Sequence, residues 1–173
     1  MFTKAGAEAY FNAEKSESGF FVIIGVLAIM LALSLFLIYK TPFYKGLAIP
    51  LLLIGLVQGI VGYNVWSRSD KQRVDIVYKM DMNPSAITTT EVPRMEKVMQ
   101  SFKLYRYVEL ALLLIGLALY FYTRNKDNAF WTGVAVALSI QAGIMLFADG
   151  IAEARGKKYL DGLKAYSGKA ANV

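Results

Sequence analysis

Glu109 is the residue in this sequence with the most chemistry open to it, because 14 uncharged residues, Leu110 to Thr123, follow it. A carboxylate at the edge of such a run is expensive in hydrocarbon and has to be paired, protonated or wet. Arg106 lies three residues earlier, a spacing that permits pairing along one helix face. Asn64 and Arg68 are expected at the same level, as are Asp149, Glu153 and Arg155. Together they would make an ionic cluster, a proton or cation site, or a docking surface for a lipid headgroup, with structural ion pairing the simplest of these. The amides Gln58 and Gln141 fall within apolar runs, where they either bond across the helices or line a polar cavity. Glu109, Asp149 and Glu153 would also be the general bases of a lipid-modifying enzyme, if there were one.

Most other chemistry is excluded. The chain has no cysteine and no histidine, so disulfides, thiol nucleophiles, iron–sulfur clusters and the usual zinc and copper sites are ruled out. Met80, Met82, Met95 and Met99 show no repeat that would hold copper(I). There is no phosphate-binding loop, dinucleotide fingerprint or serine nucleophile elbow. No catalytic residue, cofactor or metal is expected, and no basic patch with interleaved aromatics points to nucleic acid.

These residues must be positioned by apolar helices. Of 173 residues, 56% are hydrophobic and 18% charged, where a soluble domain has about 45–50% and about 25%. The apolar residues are gathered into runs. Ser18 to Tyr39 and Gly46 to Ser67 are each 22 residues without a charge, and Asn128 to Ala148 is 21; about 20 suffice to cross a bilayer. Leu104 to Thr123 completes a fourth span if Glu109 sits near its boundary. The first run exceeds the roughly 7–15 residues of a signal-peptide core and is expected to remain as a helix. The sequence therefore predicts an all-α integral membrane protein. It would be one domain over 1–173, a bundle of four transmembrane helices at about 18–39, 46–67, 104–123 and 128–148. Two hairpins with short turns at 40–45 and 123–128 are joined by a segment over about 68–103. Pro50 predicts a mild kink in the second span.

The hairpins show a weak internal match at an offset of 86 to 87: Ile29 to Leu33 with Ile115 to Leu119, and Phe43 to Ala48 with Phe130 to Ala135. A duplication would relate them by an axis along the membrane normal, and chance matching of Leu, Ala, Ile and Gly is the other reading. Small residues share faces within the spans, Gly55, Gly59 and Gly62 on the second and Ala135, Ser139 and Gly143 on the fourth. Such faces bring backbones together in lipid, within the chain or between copies. Aromatics such as Tyr39, Phe43, Trp66 and Trp131 mark the span ends.

Outside the spans, the charged stretch after Ser67 is expected to extend the second helix, with Val74, Val77 and Tyr78 on its apolar face. Asp81 to Pro93 reads as a loop, with Thr90 as N-cap of the next helix. Met95, Val98, Met99, Phe102 and Tyr105 then recur at helical spacing as an amphipathic face, and Leu160, Leu163 and Tyr166 repeat the pattern in the tail. The N-terminus, with Phe2, Ala5, Ala9, Tyr10 and Ala13, reads as a helix on the membrane surface. Fifteen of the 19 Lys and Arg residues fall in the N-terminus, the central segment and the tail, and four in the short turns. Both termini are then cytoplasmic, in a plasma or inner membrane, with a net charge of +6 favouring anionic lipid surfaces. The expected function is a noncatalytic accessory, assembly or interaction subunit of a larger membrane complex, with membrane lipids and a protein partner or second copies as its contacts. An oligomeric channel or transporter using Gln58, Gln141 and Glu109 is the alternative.

Overall fold

Thr3 opens the first helix by accepting the Gly6 N–H on its Oγ1 at 3.2 Å, which satisfies one of the free donors of a helix start. A computed structural model describes the backbone over residues 2–170 and side chains through Tyr166. Helix α1 runs Lys4–Ser34 and closes in a π-turn, Leu35–Tyr39. Lys40 turns the chain with a left-handed φ of 49°, and Pro42 starts α2, Pro42–Met82, where its missing N–H has no partner to lose. A second π-turn, Ile87–Glu91, leads into α3, Val92–Thr123, and α4 covers Ala129–Ala170. All four helices are long and apolar enough to cross a membrane. Pro50 is buried inside α2, which continues through it.

The helices exceed what a bilayer needs. The 41 residues of α2 reach about 60 Å, twice the roughly 30 Å of hydrocarbon. The surplus of every helix lies at the same end and forms a charged head. Here the structure corrects several expectations. Asp81 to Pro93 is not an open loop, because only Asn83 and Pro84 interrupt the helices. Thr89 and Thr90 donate to the carbonyls of Ser85 and Ala86, at 3.2 and 2.6 Å, so Thr90 bonds back inside a turn and does not cap α3. The N-terminus is no separate surface helix either. It is the first half of α1, and Ala7, Tyr10 and Phe11 enter the head core beside Ile76, Met95 and Leu163. Burial of each large member contributes about 1.5–3 kcal/mol. On α2 the inward face is Ile76 and Met80, with Val77 packed against the core, whereas Val74 and Tyr78 stand outside, both more than 60% exposed.

In the apolar half the backbones lie in the order α1, α2, α4, α3. Glycines set the seams. A Cβ on Gly25 would stand 2.7 Å from the Gly55 carbonyl and 2.8 Å from the Gly59 nitrogen, and one on Gly62 would meet Ser18 O at 2.9 Å. The α3/α4 seam closes where Gly116 meets Ser139 and Ala135. The α2/α4 seam is reciprocal: a Cβ on Gly46 would collide with the Phe130 carbonyl, and one on Gly133 with the Phe43 carbonyl. Both pairings carry the sequence offset of 87 (130 − 43 and 133 − 46). Gly46, Ala48 and Pro50 are buried, as are Gly133, Ala135 and Ala137 at the same offset. Gly143 faces open space, with nothing near the position of a Cβ.

Candidate functional site

Two polar centres lie along the long axis, one in the seam between α3 and α4 and one in the head. In the seam, Arg106 and Glu109 are one turn apart on α3, and Asp149 and Glu153 one turn apart on α4. Glu109 is 2% exposed, and neither of its carboxylate oxygens has a hydrogen-bond donor. It faces Asp149 across the seam. Arg106 does not take Glu109 along its own helix; it forms an ion pair with Glu153 on α4. Of the three carboxyl groups, only Glu153 is paired with that guanidinium. A buried carboxyl group that has no donor and faces a second carboxyl group needs a proton or a cation beside it, which makes Glu109, with Asp149 opposite, the chemically unfinished part of the molecule.

The remaining expected members stand elsewhere. Asn64 and Arg68 are exposed on α2. Arg155 pairs with Glu17 and lies over the Tyr10 ring, 5.7 Å from its centroid. Gln58 and Gln141 are 2% and 5% exposed. Gln58 Oε1 and Gln141 Nε2, an acceptor and a donor, each lack a partner, so the expected bond across the helices is not made through them. Ser139 Oγ, turned toward Gly116, is also buried without a partner. Lys169, counted among the basic residues of the tail, lies outside the residues whose side chains are described.

The head holds a denser network that residue spacing missed. Glu91 accepts from Arg94 Nε and Nη2 at 2.8 and 2.7 Å, and from Tyr159 OH at 2.9 Å. Glu14 accepts from Tyr10 OH at 3.1 Å, and Ser69 Oγ lies 3.1 Å from its other oxygen. The Tyr10 and Tyr159 rings stack at 4.0 Å and 13°, joining the two halves, and Arg94 sits 5.8 Å over the Phe11 ring. Burial, reinforced by Glu91, pushes the Tyr159 phenol well above its usual range. Burial with Glu14 beside it does the same to Tyr10. Desolvation alone would lower Arg94, but its bonds to Glu91 outweigh that and leave it raised. This network ties four helices together, with Glu91 held by Arg94 and Tyr159 and Glu14 held by the hydroxyls of Tyr10 and Ser69. Its signal in the sequence was Tyr10 and Glu14, four apart on the face that also carries Ala7 and Phe11, and Glu91 and Arg94, three apart.

Among the described residues no three acidic side chains group as metal ligands. No family model, no curated protein and no solved structure matches the chain.

Proposed function

We propose that this chain is a noncatalytic four-span membrane protein of two helical hairpins, an accessory or assembly subunit of a larger membrane complex, with its head and both termini on the cytoplasmic side of a plasma or inner membrane. The observation that supports it is a stripe left outside an otherwise self-contained head. Val74, Tyr78 and Met82 recur every four residues along α2 and are 63%, 61% and 68% exposed, between the charges Lys71, Asp75 and Asp81. Met95, Val98 and Met99 of α3 and Leu160, Leu163 and Tyr166 of α4 are used inside the head, so the partner surface is assigned to this stripe. An exposed apolar strip bordered by charge is the usual form of a protein contact. Native mass spectrometry of the chain extracted gently from its membrane should find a stoichiometric larger partner. Val74→Glu with Tyr78→Glu should release it while leaving the helical signal unchanged. A chain that travels alone, or a partner retained by the double variant, overturns this reading.

An oligomeric channel or transporter is the second reading, and Glu109 favours it: a buried carboxyl group without a donor at the edge of a span is where ion pathways are found. Ion flux in liposomes that vanishes in Glu109→Gln would replace the first reading with this one.

A further inference from the structure

A niche opens between α1 and α2 where the charged head meets the apolar half. It has a volume of about 350 Å³ and is lined by Asn12, Lys15, Ser16, Gly19, Phe20, Ile23 and Trp66. The α1 residues follow helical spacing, so the wall changes along one strip from polar at Asn12, Lys15 and Ser16 to apolar at Phe20 and Ile23. That change falls at position 18, where the first uncharged run begins. Phe20 and Ile23 are 61% and 55% exposed, lying along the niche as the upper part of an acyl chain would. Trp66 forms the opposite wall, with Tyr63 stacked beside it at 6.3 Å and 27°. Lys15 Nζ lies 5.2 Å from the centroid of the Trp66 ring.

Lys15, which lines the niche, is the first member of a chain of charges that runs on from it, and this chain points to the headgroup. Lys15 pairs with Asp70 Oδ2, Arg73 stands 3.8 Å from Asp70 Oδ1, and Glu8 is 4.0 Å from Arg73. Two positive and two negative charges sum to zero. The Lys15 side chain is 32% exposed and that of Asp70 52%, and each retains capacity beyond this pairing, three N–H donors on the ammonium and about four acceptor sites on the carboxylate. A headgroup with a phosphate and an ammonium keeps this balance, whereas an anionic headgroup would add a negative charge beside Asp70. Lys15 also holds the Asp70 carboxyl below its usual range, so it stays ionised as an acceptor.

We infer that this niche holds one phospholipid with a primary-ammonium headgroup, its phosphate on Lys15, its ammonium on Asp70 and an acyl chain between Phe20, Ile23 and Trp66. The inference rests on the membrane reading above, and the test separates the two. Full-length chain is first fractionated. Recovery with the soluble proteins would overturn both readings, and recovery with the membranes leaves the lipid assignment to be tested on its own. Delipidated protein in detergent is then titrated with phosphatidylethanolamine, phosphatidylcholine and phosphatidylglycerol, and bound lipid is counted by native mass spectrometry.

The expected result is one retained phosphatidylethanolamine, held about tenfold more tightly than the other two lipids. Lys15→Ala should lower its retention about tenfold, and Asp70→Asn should remove the preference for the ammonium. Ser16→Trp fills the niche without touching the ion pair and should exclude the lipid even if Lys15→Ala folds poorly. Equal retention of all three headgroups, preference for phosphatidylglycerol, or retention unchanged in Ser16→Trp would each overturn the assignment.

Discussion

Tyr159 shows how one side chain ties distant parts of this protein together. Its hydroxyl donates to Glu91, 68 residues away, at 2.9 Å, its ring stacks on Tyr10, and it is 4% exposed. Truncation to phenylalanine keeps the ring and removes the donor from a buried carboxylate, which costs about 1–3 kcal/mol. Chemical unfolding in detergent should show that loss for Tyr159→Phe. The pH dependence has a definite sign. The folded value lies above the unfolded one, so its contribution is complete below about pH 10, the unfolded value, and is lost as pH rises from there through the folded value. Wild-type stability should therefore fall above about pH 10, and the fall should be shallower in Tyr159→Phe. Parallel curves would show that Tyr159 is not the group responsible.

At the scale of the helices, contact is set by glycine rather than by large apolar side chains. Gly46 and Gly133 face the backbones of Phe130 and Phe43, where an added side chain meets a carbonyl that cannot rotate away. Gly46→Val and Gly133→Val should each part α2 from α4 and cost about 1–3 kcal/mol or more, as overpacking does. Gly143→Ala, at a position with open space, should be close to neutral and gain slightly from helix propensity. Thermal unfolding of the three variants side by side checks this, and equal losses in all three would refute a glycine-set seam. Because the Gly46 and Gly133 contacts are reciprocal, their penalties should also match each other.

For the whole molecule, the decisive division is between an apolar half with glycine seams and a head with an aromatic and ionic core. The head accounts for the length of the helices and for the burial of Glu14 and Glu91 at 8% and 6% exposure. If the head is cytoplasmic, a cysteine at Lys126 should react with an impermeant maleimide on intact cells, and one at Asp161 only after permeabilisation. The absence of native cysteines removes background. Labelling in the opposite order would invert the proposed orientation.

Sequence by itself determined the four apolar helices, because the gaps between charges and the length needed to cross hydrocarbon are properties of consecutive residues. The turn expected over 40–45 was legible for the same local reason, although α2 already begins at Pro42. What only the tertiary structure decided was the choice of partners. Arg106 had Glu109 within one turn and took Glu153 from another helix. The sequence put Val74, Val77 and Tyr78 on the apolar face of α2, whereas packing turned Ile76 and Met80 inward with Val77 beside them and left Val74 and Tyr78 outside. The threonines before α3 read as a loop because their hydroxyls compete for backbone groups in any conformation, and Ile87 and Glu91, both buried in the head, settled them as helix. The head drew on segments from α1, α2, α3 and α4, and no window of consecutive residues contains the surface that each of them buries.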